Sequence, residues 1–123
     1  LLPADIEGKN EQALLARASD KLPATVLIAP HHGSNTSSTA AFVQKVNPSL
    51  TIFTMGYQNR HEHPRETVVA RYHNLGSQLL RSDRDGAILI RFANNEWSVD
   101  SWRKLHRRYW QQSRIESINP DFD

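Results

Sequence analysis

The 123-residue sequence contains no cysteine, and its net charge is only +2. Without cysteine there is no disulfide scaffold and no thiolate metal site, so any metal must be bound by histidine, carboxylate or water. No apolar run approaches the roughly 18–20 residues that span a bilayer. The longest apolar run, residues 24–30, has the length of a strand. The chain begins at Leu1 with no initiator methionine and no basic leader, which predicts a fragment of a larger protein.

The small net charge is distributed unevenly along the chain. Residues 102–110 are basic with interleaved aromatic side chains, and three acids, Glu116, Asp121 and Asp123, lie beyond this segment. Such a segment can hold phosphates and stack on bases, although a solvated terminal extension has the same composition. The candidate nucleic-acid contacts in it are Arg103, Lys104, Arg107 and Arg108.

Apolar runs and turn residues predict an alternation of helices and strands. A first helix is expected over residues 6–19, a second is capped by Ser37 or Ser38 and ends near Val46, and a third begins at Pro64. The predicted strands are residues 25–29, 50–54, 77–81, 87–93 and 96–102. Residues 83–86 are expected to form a turn, and Asn94-Asn95 a hairpin turn. This order indicates an α/β layered domain.

Loops that contain histidines leave the carboxyl ends of two of the buried strands. His31 and His32 come after the first strand, and His63 ends the loop after the second. Asp5 follows Leu1-Leu2, which can be the stub of a further strand. Because ligand sites in open α/β sheets collect outside the carboxyl ends of strands, these residues are predicted to converge on one edge.

Each of these residues also has a purely structural interpretation. Asp5 can be the N-cap of the first helix, and His63 lies at the expected N-cap position before Pro64. If His31 and His32 extend the strand, their side chains point in opposite directions, and both can simply be exposed residues of a polar loop. Gly33 permits a sharp turn after them, and the hydroxyl residues that follow can hold phosphate oxygens or orient an imidazole.

Three ordered motifs carry a resemblance to a known family: PHHGS at residues 30–34, GxxNRxxHP at residues 56–64 and DRDGAI at residues 83–88. With the spacing between them, residues 1–90 resemble the last half of the metallo-β-lactamase-type domain of the ComEC family of DNA-internalisation competence proteins. The resemblance implies an α/β fold that is the C-terminal half of a four-layer αββα sandwich, a mixed sheet with helices on its face. Residues 1–103 would form this partial domain, and residues 104–123 a basic and then polar tail.

The resemblance also implies roles for individual residues. Asp5 matches the aspartate that bridges two metal ions, and His31 matches a histidine of the second metal site. His32 and His63 match residues that face the substrate or the scissile phosphate, and so are catalytic candidates. Gly33, Ser34 and Asn59 are the implied substrate- and phosphate-binding residues. The metals would be two divalent ions, zinc or manganese. Pro3-Ala4 stands where the family usually has Thr-Gly, and the upstream HxHxDH-type motif is not in this chain.

The implied function is part of a metal-dependent phosphodiesterase or nuclease domain of a DNA-uptake protein. With one carboxylate and one histidine ligand, the fragment itself is expected to be inactive and to lack a complete two-metal centre. Its expected partners are single-stranded DNA, the missing N-terminal half and, through the exposed half-domain surface, a second copy of the chain. The parent would be an inner-membrane protein with this domain on the periplasmic or extracytoplasmic side. Two alternatives stay open: a non-catalytic nucleic-acid-binding module, and a superfamily hydrolase of small phosphoesters.

Overall fold

The computed structural model describes residues 1–58 and 62–106. Its helices are α1 (Gly8–Ala18), α2 (Ala40–Val46), α3 (Glu66–Asn74), α4 (Ser82–Asp85) and α5 (Trp102–Leu105). Its strands are β1 (Val26–Ile28), β2 (Leu50–Phe53), β3 (Gln78–Arg81), β4 (Ile88–Ala93) and β5 (Glu96–Ser101). Short 3-10 turns cover Ser19–Lys21 and Pro30–Gly33. Within the described residues, no helix combines the length and the apolar character that crossing a membrane requires.

The strands form two separate sheets. One has the order β1-β2-β3 with both pairs parallel, and the other is the antiparallel pair β4-β5. The predicted α/β class is confirmed, and the parallel and antiparallel pairings expected of a mixed sheet are divided between two sheets in the described residues. Asn94 and Asn95 both have positive φ, as a two-residue hairpin turn requires, so β5 folds directly back onto β4. Parallel strands need a crossover, which α2 and α3 provide between β1, β2 and β3.

The main core lies between the parallel sheet and the first three helices. Phe53 of β2 meets Tyr72 of α3 edge to face, with ring centroids 5.8 Å apart. Burying such large rings contributes about 2 kcal/mol each, which makes this pair a principal anchor of α3 on the sheet. The buried apolar residues of this cluster are Leu22, Leu27, Ala29, Phe42, Val43, Val46, Phe53, Val68 and Tyr72.

The opposite side of β1 faces the β4-β5 hairpin across an apolar groove. Val26 and Ile28 line it from β1, and Ile90 and Phe92 line it from β4. Phe92 is 65% exposed, so this side of the sheet is covered much less completely than the helix side.

The first residues of the chain run along β1. The Leu1 amino group donates to the Val26 carbonyl at 2.7 Å, and the Ile28 N–H donates to the Leu1 carbonyl at 3.1 Å. This is the hydrogen-bond pattern of a parallel pair, in keeping with the predicted strand stub. The His31 N–H then donates to the Ala4 carbonyl at 3.0 Å. These bonds hold Asp5 beside the end of β1.

Several predicted details of the elements are wrong for tertiary reasons. The third helix begins at Glu66 and its N-cap is Arg65, so neither His63 nor Pro64 has the predicted position. The Arg65 N–H donates to the Gly33 carbonyl at 3.0 Å, which holds Arg65 in an extended conformation outside the helix.

Helix ends elsewhere also differ from the prediction. The N-cap of α1 is Glu7 and not Asp5, and the N-cap of α2 is Thr39 and not Ser37 or Ser38. Residues 83–86 do not form an isolated turn, because Ser82–Asp85 is a single helical turn that Gly86 ends. The predicted boundary between domain and tail falls inside α5, and residues 107–123 lie outside the described residues.

Candidate functional site

The segment after β1 has an unusual backbone conformation. His31 and His32 both lie in the left-handed region, with φ of 47° and 56°. For non-glycine residues this costs about 1 kcal/mol or more each, and such strain occurs preferentially at functional sites. The Ser34 N–H donates to the His31 carbonyl at 3.0 Å, and the Ser37 hydroxyl donates to the Pro30 carbonyl at 2.8 Å. The histidines therefore form a tight turn and do not extend the strand, which corrects the expectation of opposed side chains.

His32 is oriented by the strand beside it. Its Nδ1 lies 2.6 Å from the carbonyl oxygen of Thr54, directly after β2, and 3.2 Å from the Thr54 hydroxyl. A carbonyl oxygen only accepts hydrogen bonds, so Nδ1 carries the proton and Nε2 of the neutral ring has a lone pair. That Nε2 lies 3.6 Å from Oδ1 of Asp5. The structure thus brings together a carboxylate and an imidazole nitrogen that can accept a cation.

His31 is oriented by the start of α1. Its Nδ1 lies 3.3 Å from Oε1 of Glu7 and 3.4 Å from the hydroxyl of Thr36. The Thr36 hydroxyl donates to the same Glu7 oxygen at 3.0 Å, and the Gly8 N–H donates to the Thr36 carbonyl at 2.8 Å. The two histidines therefore contact different carboxylates, since His32 lies against Asp5 and His31 against Glu7.

His63 approaches from the loop that precedes α3. Its ring centroid lies 6.3 Å from that of His31, which in turn lies 6.5 Å from that of His32. The three loops predicted to converge therefore do meet at the carboxyl edge of the parallel sheet. We refer to Asp5, Glu7, His31, His32 and His63 as the histidine rim.

The rim is open to solvent. The side chain of Asp5 is 71% exposed and that of His32 is 48% exposed. Within residues 1–58 and 62–106, no group of three or more histidine, cysteine, aspartate or glutamate side chains is arranged to hold a metal ion. The described rim therefore supplies imidazole and carboxylate groups of the kind that bind metals. They lie in two pairs, His32 with Asp5 and His31 with Glu7.

Gly33 connects two loops of the site. Its φ is +83°, and an added Cβ would lie 2.6 Å from Cβ of Pro64 and 2.9 Å from Cδ1 of Phe53. No side chain fits there without displacing one of these neighbours. The Asn35 side-chain oxygen, which accepts from the Thr67 hydroxyl at 2.9 Å, provides a second connection to α3.

The hydroxyl groups of the serines after Gly33 form hydrogen bonds with other groups of the fold. The hydroxyl of Ser34 is within hydrogen-bond distance of the Thr36 hydroxyl at 3.1 Å, and that of Ser38 accepts from the Tyr72 phenol at 2.9 Å. Burial raises the pKa of Tyr72 above its ordinary value, so its phenol is protonated and donates throughout the physiological range. The predicted phosphate-binding role of Gly33 and Ser34 stays a prediction.

A second group of charged residues lies near the end of β3. The Arg81 side chain donates to the Asp83 carboxylate through Nε and Nη2, at 3.1 and 2.8 Å. The Arg81 backbone N–H donates to the Asp85 carboxylate at 2.7 Å. Burial alone would raise the pKa of Asp83, but the hydrogen bonds and positive charge of Arg81 outweigh it, and the pKa of Asp83 is lowered. Asp83 and Asp85 are therefore structural partners of Arg81, on the single helical turn that stands where an isolated turn was predicted.

The remaining predicted site residues lie elsewhere or outside the described part of the chain. Arg103 and Lys104 are on α5, where both are exposed. Asn59, Arg107 and Arg108 fall outside the described residues.

Four residues that shape the rim were not among the predicted site residues. Glu7 and Thr36 contact His31, Thr54 orients His32, and buried Glu11 holds the end of the histidine loop. Thr54 directly follows β2, but the predicted strand over residues 50–54 included it, so the end-of-strand argument did not select it.

Comparison with known proteins gives relatives but no family model and no solved structure that matches the chain. Competence protein ComA of Neisseria gonorrhoeae is 35% identical over 117 residues, which are 94% of this chain and 17% of the relative. The uncharacterized protein YcaI of Escherichia coli (strain K12) is 35% identical over 113 residues, 90% of this chain and 15% of the relative. ComE operon protein 3 of Bacillus subtilis (strain 168) is 32% identical over 94 residues, 76% of this chain and 12% of the relative.

The chain thus spans only 12–17% of the length of these relatives. The matches nevertheless cover most of this chain, and two of the three relatives carry competence-related names. Homology over nearly all of the described fold supports a relationship of this chain to the ComEC family.

Proposed function

We propose that this chain is part of a metal-dependent phosphodiesterase domain that cleaves DNA during its uptake. Relatives named for competence support a role in DNA uptake. The observation that carries the chemistry is the 3.6 Å approach of His32 Nε2 to Asp5 Oδ1, with the His32 ring held by Thr54. In this proposal the fold is the C-terminal half of an αββα metallo-β-lactamase-type sandwich, on the periplasmic or extracytoplasmic side of a membrane protein.

An imidazole nitrogen and a carboxylate oxygen are donor atoms that bind divalent cations. Two ligands of a tetrahedral zinc ion are about 3.4 Å apart, close to the 3.6 Å between His32 Nε2 and Asp5 Oδ1. The bond from His32 Nδ1 to a backbone carbonyl is the usual outer support of a metal-binding imidazole. The described residues supply too few ligands for a complete centre, so the others come from elsewhere in the parent protein.

This geometry favours His32, with Asp5, as the metal-binding imidazole. The resemblance gave that role to His31, and His31 instead lies against Glu7 and Thr36. We therefore propose that His31 is the neighbour that faces the phosphate. Bound divalent metals, zinc or manganese, would lower the pKa of a water molecule and neutralise charge on the phosphate.

His63 and His31 are the proposed proton donors and phosphate contacts. Their rings lie 6.3 Å apart, a separation that leaves room for a phosphate oxygen between them. A protonated imidazole nitrogen can donate its proton to a leaving oxygen, which is the general-acid role proposed for either ring.

The test is made in the full-length parent protein. We expect Asp5→Ala and His32→Ala each to lower metal-dependent hydrolysis of single-stranded DNA by at least about a hundred-fold, because each removes a ligand. His73→Ala is the matched control, since His73 is an exposed histidine on α3 away from the rim. It should leave the rate within about two-fold of the unchanged protein.

Two outcomes contradict the proposal. Full hydrolysis by both rim variants would exclude the metal role of Asp5 and His32. Loss of DNA binding with no dependence on metal would favour the alternative of a non-catalytic nucleic-acid-binding module.

A further inference from the structure

An exposed aromatic stack lies on α5. The Trp102 and His106 rings have centroids 3.6 Å apart and planes inclined by only 18°. The backbone holds this pair in place, because the His106 N–H donates to the Trp102 carbonyl at 2.9 Å and the Trp102 N–H donates to the Ala87 carbonyl at 2.7 Å. Trp102 remains 57% exposed. A large ring that is both fixed and accessible is a surface on which another planar ring can stack.

Two cationic residues, Arg103 and Lys104, lie on α5 between the two stacked residues in the sequence. Arg103 donates to the carbonyl oxygens of Asp83 and Arg84 at 2.6 and 3.0 Å, which positions its guanidinium beside α4. Lys104 is exposed next to it. Among the described residues, neither cation is within salt-bridge distance of a carboxylate, since Asp83 pairs with Arg81 and Asp100 with Arg91. We refer to Trp102, Arg103, Lys104 and His106 as the α5 platform.

The α5 platform is connected to the histidine rim through the edge of the parallel sheet. Thr54 binds His32, and the next residue, Met55, exchanges hydrogen bonds of 2.8 and 2.7 Å with the Ser82 hydroxyl at the start of α4. Arg103 then donates to the carbonyl oxygens of Asp83 and Arg84 within α4. The rim and the platform therefore share the carboxyl edge of the sheet.

From these observations we infer that the α5 platform binds single-stranded DNA, with a base stacked on Trp102 and phosphates beside Arg103 and Lys104. The inference deepens the proposed function and rests on DNA being the substrate. A single strand exposes the faces of its bases, and stacking on fixed aromatic rings together with cations along the backbone is the general mode of its recognition. The platform would hold the strand so that its phosphates reach the histidine rim.

The test measures equilibrium binding without metal, so it does not depend on hydrolysis. Fluorescence anisotropy follows a labelled oligothymidine of about 12 nucleotides titrated with the full 123-residue chain. We expect Trp102→Ala to weaken binding roughly ten-fold, because one base loses its stacking partner. Trp102→Tyr keeps an aromatic ring and should bind within about three-fold of the unchanged chain.

Controls are matched in residue type. Phe92→Ala removes another exposed aromatic side chain, on the hairpin, and should leave the affinity within about two-fold. Lys104→Ala should lower the slope of log affinity against log salt concentration by about one, because one phosphate contact is lost. Lys21→Ala should leave this slope unchanged, because Lys21 lies before β1, at the opposite end of that strand from the rim. Circular dichroism at increasing temperature shows whether each variant is folded.

Several outcomes would overturn the inference. They are unchanged binding by a folded Trp102→Ala variant, an equal loss with Phe92→Ala, or binding of anionic lipid vesicles that requires Trp102 while oligonucleotide binding does not. Failure of the proposed function looks different. If Asp5→Ala still hydrolyses DNA while Trp102→Ala loses DNA binding, the inference about the α5 platform is supported and the assignment of the metal ligands is contradicted.

Discussion

At the scale of single residues, the most consequential side chain after the histidines is Glu11. It is fully buried in α1, and its carboxylate accepts from the N–H groups of Ser38 and Thr39 at 2.5 and 2.8 Å and from the Thr39 hydroxyl at 2.7 Å. Ser38 has a positive φ of 55°. Glu11 thus satisfies the backbone where the histidine loop enters α2, a task that no side chain within the loop performs.

We expect Glu11→Gln to lower the free energy of unfolding by about 2–4 kcal/mol, because an amide cannot accept all three bonds and places its own donor against N–H groups. Urea denaturation followed by circular dichroism measures the loss. Glu62→Gln is the matched control: Glu62 is exposed and pairs with the exposed Arg65 at 2.9 Å, so its loss should cost less than about 1 kcal/mol. Equal losses for the two variants would contradict the role given to Glu11.

At the scale of elements, the site depends on two loops held in contact. The turn after β1 and the segment before α3 meet at Gly33, whose carbonyl accepts from the Arg65 N–H and where an added Cβ would lie only 2.6 Å from Cβ of Pro64. The sequence indicated that Gly33 permits a sharp turn. It did not indicate the close approach of Pro64 and Phe53, since neither neighbour is near in the chain.

We expect Gly33→Ala to destabilise the fold by about 2–4 kcal/mol, from left-handed strain of about 1 kcal/mol together with overpacking. Gly76→Ala separates the two terms, because Gly76 also has a φ of +76° but a Cβ there would meet nothing within 4 Å. Gly76→Ala should cost only the strain, and thermal or urea unfolding of both variants measures the difference. A loss as large at Gly76 as at Gly33 would show that loop contact contributes nothing.

At the scale of the whole molecule, the described chain presents part of a site. The histidine rim groups carboxylates and imidazoles in pairs, and the β4-β5 hairpin leaves an apolar groove beside β1. The chain spans 12–17% of its relatives, so the remaining ligands belong, in our proposal, to another part of the parent protein. Pairing of the exposed surface with a second copy of the chain stays a prediction.

We expect the isolated chain to bind zinc weakly and at no more than one site. Protein zinc sites use at least three side chains, and a pair provides too little binding energy for a tight site. Isothermal titration calorimetry measures this directly, with Asp5→Asn as the variant that should abolish the residual heat. Two tight sites on the unchanged chain would show that it completes a metal centre by itself.

The sequence was sufficient for what depends on local chemistry. Apolar runs located β1 and β2, Asn94-Asn95 located the hairpin turn, and the residues after predicted strands located the three histidines and Asp5 of the rim. These features follow from propensities and periodicities that act over a few residues. The rule that parallel strands share a carboxyl edge then brought Asp5 and the histidine loops together.

Only the tertiary structure decided which nitrogen of His32 carries the proton, which carboxylate each histidine contacts, and what holds the strained loop. His32 is oriented by a residue 22 positions away, and the loop is held by Glu11 from 27 and 28 positions away. Hydrogen-bond partners so distant along the chain are set by how the helices and the sheet pack. Local sequence patterns therefore carry no information about them.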